Sequence, residues 1–125
     1  MEGKKYARSE AALEIGKKYI PGGVIGTRRP ENFVPGAYPL YVTEGKGSHF
    51  WDVDGNEYID YLAGFGPVLL GHAYEVVDDA AIARIRKGFC FDLSQEIQND
   101  LAQKVTQMIP CAEKVIFVLS GSDAT

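Results

Sequence analysis

The sequence predicts an α/β chain, in detail an α+β arrangement: a short helix, a long loop, a three-stranded antiparallel meander, two helices and then a buried strand. Three observations carry that reading. Asp54-Gly55 stands between two alternating β-rich runs, and Asp-Gly in that setting signals a hairpin because the glycine takes the positive φ the turn needs. Two later stretches repeat apolar residues at helical spacing. Lys114-Val115-Ile116-Phe117-Val118-Leu119 is nearly continuous apolar sequence, as in the strands of a parallel sheet covered on both faces.

The first helix is expected over residues 9 to 19, with Ser9 as N-cap, Glu10 and Glu14 early, and Lys17 and Lys18 late, the charge order a helix dipole prefers. Pro21-Gly22-Gly23 stops it. From Pro21 to Pro39 the chain holds four of its six prolines and reads as an extended loop, whose Val24, Ile25, Phe33 and Val34 suggest that it is pressed against something.

Three strands follow: residues 40 to 43, 48 to 53 and 57 to 61, separated by Glu44-Gly45-Lys46-Gly47 and by Asp54-Gly55-Asn56. Gly64-Phe65-Gly66-Pro67 then breaks the pattern. A helix over about 75 to 87 carries Val77, Ala81, Ile82 and Ile85 on one stripe, with Gly88 just past its end. A further helix over about 94 to 109 repeats Ile97, Leu101, Val105 and Met108, with Ser94 as cap and Pro110 as stop. Residues 1–70 are taken as an amino-terminal segment with the meander, and the division from residues 71–125 rests on the family resemblance described below.

Composition excludes several classes of function. With 125 residues, 46% hydrophobic and 24% charged, the chain is ordinary for a folded protein. A formal charge of −4 offers no general attraction for nucleic acid or an anionic membrane. Cys90 and Cys111 lack metal-ligand or disulfide-scaffold spacing and read as buried thiols. His49 and His72 have no carboxylate or thiol at ligand spacing, so no metal site is expected, and His72 reads as a structural histidine hydrogen-bonded to backbone. Asp52, Asp54, Glu57 and Asp60 read as the solvated face and turn of the hairpin, and Trp51 as a core or dimer-contact residue. No signal-peptide core or membrane-length apolar run is present, which makes a cytoplasmic protein the expectation.

The stretch with chemical meaning is Ser120-Gly121-Ser122-Asp123-Ala124-Thr125, directly after the apolar run. Gly121 allows a ligand close to the backbone, and Ser122 or Asp123 is suited to cap a following helix. The amides of Gly121 and Ser122, with the Ser120 and Ser122 hydroxyls, form a donor set for a phosphate. An ordinary strand-to-helix turn is the alternative reading. A helix that has barely begun at the last residue makes the chain read as truncated.

Five segments taken in order resemble the opening of the class III, fold-type I aminotransferases, enzymes dependent on pyridoxal 5'-phosphate (PLP). They are Ile20 to Val24, Gly47 to Tyr61 (GSHFWDVDGNEYIDY), Gly64 to Pro67, Leu70-Gly71-His72 and Ser120 to Thr125. Within that family the resemblance is to the glutamate-1-semialdehyde aminomutase branch. It implies that residues 71–125 begin the PLP-binding large domain, with Lys114 to Leu119 as its first buried strand. It also implies that Ser120, Gly121 and Ser122 hold the cofactor phosphate, that Arg29 (or Arg28) meets a substrate carboxylate, and that Phe65 walls the substrate entry. Gly71-His72-Ala73-Tyr74-Glu75 and Leu119 depart from the usual Gly-His-x-His-Pro and Asn, which marks a divergent member.

In that family the lysine that forms a Schiff base with the cofactor lies far beyond the phosphate turn, and every lysine here precedes the turn. No catalytic residue is therefore assigned. The chain alone is expected to be inactive and to bind PLP poorly, whereas its parent moves amino groups on a small amino-acid or carbonyl substrate. Self-association, as a homodimer or otherwise, is expected. A non-catalytic binding or regulatory module built on the same fold, or a fragment with no function of its own, are the competing readings.

Overall fold

The computed structural model describes residues 5–26, 29–32 and 41–125. These fall into two compact units, one ending at Ala83 and the other running Arg84–Thr125.

The first unit begins with α1 (Ala7–Gly16). Ser9 is not its N-cap: the helix starts two residues earlier, Tyr6 occupies the cap position, and no local side chain caps it. The reason is tertiary. Asp54, from the hairpin, accepts hydrogen bonds from the Arg8 N–H (2.7 Å), the Ser9 N–H (2.9 Å) and the Ser9 hydroxyl (2.7 Å). A carboxylate on early helix amides satisfies donors that have no intrahelical acceptor, so Ser9 is free to lie inside the helix, fully buried. After Gly16 the chain continues in tight turns to Ile20. The Tyr41 hydroxyl then ties the following loop down by donating to the Gly23 carbonyl at 2.7 Å. Ile25 is exposed, while Arg28, Phe33 and Val34 lie outside the described residues.

The antiparallel meander forms as the alternation predicts: β1 (Val42–Lys46), β2 (His49–Asp52) and β3 (Glu57–Ile59), in that order across the sheet. Glu44-Gly45-Lys46 is strand, not connection; Gly45 pairs with Phe50 and Lys46 with His49, leaving Gly47-Ser48 as the turn. Thr43 bulges where the register shifts between Val42 and Glu44, and its hydroxyl donates to the Trp51 carbonyl at 3.2 Å. At the second turn Gly55 has φ 83°, as the Asp-Gly pair requires. Phe50 and Tyr58 stack across β2 and β3 with centroids 5.1 Å apart, and Trp51 is half-buried.

α2 (Glu75–Ile85) ends with Gly88 at φ 84°, the left-handed stop the sequence predicts. In the second unit, α3 (Glu96–Met108) is capped by Gln95 rather than Ser94. The Gln98 side chain accepts from the Gln95 N–H at 2.8 Å, which places the helix start one residue later than a serine cap would. Arg84 donates to the side-chain carbonyl of Gln95, fixing that residue to the end of α2.

The run from Lys114 to Leu119 is not a paired strand among the described residues. A strand needs a neighbour to complete its ladder, and none does so here. Ile116 is 86% exposed and Leu119 fully so. Cys90 and Cys111 are exposed rather than buried. Among the described residues Leu13 is the only buried hydrophobic side chain, so the apolar stripe of α3 and the 114–119 run lack cover. No helix among them is long and apolar enough to cross a membrane.

Candidate cofactor and substrate site

The aspartates of the meander are structural, and only in part the solvated face that their alternation suggests. Asp52 is 2% exposed. Its Oδ1 accepts from the amides of Asp54 (3.0 Å) and Asn56 (2.8 Å), and its Oδ2 from the Asn56 side-chain amide (2.8 Å) and the Tyr58 hydroxyl (2.9 Å). Burial pushes its carboxyl up, but the bonds from Asn56, Tyr58 and Asp54 outweigh it and hold the group below its ordinary value. Burial, followed by bonds with Tyr6 and Asp52, drives the Tyr58 phenol well above its own. Asn56 also donates to the Lys5 carbonyl at 2.7 Å. The whole Asp-x-Asp-Gly-Asn turn is thus a clasp between hairpin and α1.

Asp60 performs a second task. Its Oδ1 accepts from the amides of Leu62 (2.9 Å) and Ala63 (3.0 Å), and its Oδ2 lies 2.8 Å from His72 Nε2. His72, followed by the Ala63 and Leu62 amides, holds the Asp60 carboxyl below its ordinary value. The His72 ring meets this carboxylate and not the backbone partner the sequence suggests; its main chain bridges Gly47 in both directions at 2.8 and 2.9 Å. Asp60 and His72 line one wall of a pocket of about 300 Å³ together with Ser48, Ala63 and Leu70.

Phe65 stands on the turn that Asp60 holds. Ala63, Gly64, Phe65 and Gly66 all have positive φ, at 49°, 62°, 68° and 109°, one short left-handed turn closed by the Phe65 N–H on the Leu62 carbonyl at 3.0 Å. Left-handed backbone at the two non-glycine residues costs roughly 1 kcal/mol each or more. Phe65 is 75% exposed, so the turn presents an aromatic ring instead of burying it. Arg29 is also exposed and lies against Gly22, whose ideal Cβ would come within 3.2 Å of its Nε. The left-handed turn has only a faint sequence signal, in Gly64 and Gly66; no local pattern announces Ala63 and Phe65 as its other members.

Ser120, Gly121 and Ser122 open α4 (Gly121–Ala124) in the second unit, and all three are exposed. The cap is Ser120, not Ser122 or Asp123: its Oγ accepts from the Asp123 N–H at 3.2 Å and donates to Asp123 Oδ2 at 2.8 Å. Amides at a helix start have no intrahelical acceptor, and an ideal Cβ on Gly121 would meet nothing within 4 Å. Hydroxyls, amides and open space fit a phosphate, which would compete with the Asp123 carboxylate for the Ser120 hydroxyl. Among the described residues no cluster suited to a metal ion occurs.

Comparison with known proteins places the chain as a whole. The family profile "Aminotransferase class-III" matches residues 34–125. A 3-aminobutyryl-CoA aminotransferase of Cloacimonas acidaminovorans is 52% identical over 122 residues, spanning 97% of this chain and 30% of that protein. A glutamate-1-semialdehyde 2,1-aminomutase of Chloroflexus aggregans is 41% identical over 122 residues, spanning 98% of this chain and 28% of that protein. A solved transaminase with PLP bound superposes with a TM-score of 0.83 at 28% identity, over 98% of this chain and 28% of its own. The chain therefore spans about 30% of the length of the curated relatives it matches, in their amino-terminal region. It belongs to the class-III aminotransferase family.

Proposed function

We propose that the chain is the amino-terminal part of a PLP-dependent aminotransferase or aminomutase acting on a small amino-acid or carbonyl substrate. The observation that carries this reading is the exposed Ser120-Gly121-Ser122 turn, open above Gly121, in a chain alignable along nearly its whole length with such enzymes.

In that role the Gly121 and Ser122 amides and the Ser120 and Ser122 hydroxyls hold the cofactor phosphate. Bound PLP supplies an electron sink for moving an amino group. Arg29 offers a fixed charge for a substrate carboxylate. Phe65, on its strained turn, walls the entry and limits what reaches the reacting centre. The chain alone carries no residue for the chemical step and is inactive by itself. Its bare apolar side chains, Ile116 and Leu119 among them, are covered in the parent by the rest of the protein or by a second copy, in a cytoplasmic homodimer.

Gly121 provides a clean test. Its backbone lies outside the left-handed region and a Cβ there meets open space, so Gly121→Ala leaves the fold intact. In the full-length protein this substitution should weaken PLP binding by about tenfold or more, roughly 1.4 kcal/mol, as measured by titration of the apoprotein. Unchanged affinity would remove the turn from the cofactor site.

A further inference from the structure

We propose that Asp60 is a positioning residue: clamped by His72, its carboxylate holds the left-handed turn that presents Phe65, and it governs the size of amine admitted without touching substrate. The inference rests on Phe65 as a wall of the substrate entry. Three connections support it. Asp60 is anchored in the sheet, because its N–H donates to the Ser48 carbonyl at 2.8 Å. One carboxylate oxygen takes both amides that lead into the turn, Leu62 at 2.9 Å and Ala63 at 3.0 Å. The other is held by His72 Nε2 at 2.8 Å, with the carboxylate side chain 14% and the imidazole 30% exposed.

His72 is itself fixed. Its main chain bridges Gly47 in both directions, and its ring packs so closely over β1 that a Cβ on Gly45 would lie 2.7 Å from its Cγ. The clamp therefore has rigid ends, and the turn between Ala63 and Gly66, closed by the Gly66 and Val68 N–H groups on the Ala63 carbonyl at 3.0 and 3.1 Å, is joined to it through the Leu62 and Ala63 amides. Isolated chains avoid consecutive left-handed residues, so the conformation at Phe65 persists only while something outside the turn imposes it. Asp60 makes the connection from the sheet to the turn. Without it, relaxation of Ala63 and Phe65 toward right-handed or extended backbone would swing the ring away from its place.

The test uses the full-length protein with 4-fluorophenylalanine at position 65, and compares wild type, Asp60→Ala and Asp60→Asn. Asn keeps an oxygen for the two amides and restores the turn. The fluorine resonance should be one narrow line in wild type, shift or broaden in Asp60→Ala, and return in Asp60→Asn. In the unlabelled protein with PLP bound, binding of primary amines graded from methylamine to 2-phenylethylamine is followed through the cofactor absorbance. Asp60→Ala should change the ratio of large-amine to small-amine affinity by about tenfold, the scale of one hydrophobic contact. It should add nothing further in a Phe65→Ala background.

A fluorine line unmoved by Asp60→Ala overturns the positioning role, whatever the amines show. A moved line together with an amine ratio untouched by Phe65→Ala overturns the reading of Phe65 as a wall. If Asp60→Ala is not recovered folded, His72→Phe removes the clamp and leaves the carboxylate. The fluorine line should then move in the same direction to a smaller extent, and an unmoved line contradicts the proposal.

Discussion

Replacing Asp52 with alanine should lower the unfolding free energy of the chain by about 3 kcal/mol. Asp52 receives four hydrogen bonds in a nearly sealed position. Its removal takes one bond from the Tyr58 hydroxyl, strands one N–H of the Asn56 side chain, and frees the Asp54 and Asn56 amides that shape the turn. Loss of that turn also loosens Asp54 from α1 and Asn56 from Lys5, so the effect spreads beyond one contact. Trp51 is the sole tryptophan and adjoins the site, so urea unfolding followed by its fluorescence reads the change. A loss under about 1 kcal/mol would show the clasp to be incidental.

The same network predicts acid sensitivity. Asp52, Asp54 and Asp60 all have carboxyls held below their ordinary value. For Asp54, burial acts upward and the bonds from Ser9 and Arg8 act downward and win. The folded chain then binds fewer protons than the unfolded one, and stability rises with pH. The contribution is complete above about pH 4, the unfolded carboxyl value, and is lost as pH falls through the lower folded values. Asp52→Ala should flatten this acid limb.

The second large effect is expected at Gly71. Its φ is 83°, and an ideal Cβ would stand 2.8 to 2.9 Å from the oxygen, carbon and Cα of Gly47. Gly71→Ala therefore meets two penalties. One is left-handed backbone for a residue with a Cβ, and the other is overlap with main chain that has no flexible end to move. Together they amount to about 3 kcal/mol. Yielding at this point would separate the bridge between Gly47 and His72, so the hydrogen-exchange protection of those amides should fall along with stability. Gly47→Ala is not an equivalent control in packing, since a Cβ there meets open space; it reports the φ penalty alone. Equal effects at the two positions would contradict the close-approach argument.

Legibility of the fold followed the range of the interactions. The meander and both later helices were readable because alternation, Asp54-Gly55, Gly88 and the α3 stripe are local signals. Helix starts were misread wherever the cap was remote or unusual. Asp54 caps α1 from 45 positions away, and Gln95 displaces Ser94 through a reciprocal partner three residues on. Asp52 and Asp60 looked like solvated hairpin carboxylates because alternation cannot reveal which of them a neighbouring element covers. The run 114–119 has the composition of a buried strand but no ladder partner among the described residues. At the candidate site, the Ser-Gly-Ser donor pattern was visible from residue chemistry. Arg29 and Phe65 were identified only through family resemblance, and the left-handed backbone at Phe65 required the structure.

The central claim, that this chain opens a PLP-dependent amino-group transferase, is tested most directly by one absorbance measurement. The full-length protein and the 125-residue chain are each incubated with PLP, freed of excess, and scanned between about 300 and 500 nm before and after addition of a primary amine. The full-length protein should retain a cofactor band that shifts with amine, and the chain alone should retain none. A full-length protein without a retained band would contradict the claim in favour of a non-catalytic module on the same fold. An amine-sensitive band on the chain alone would contradict the assignment of its chemistry to residues beyond it.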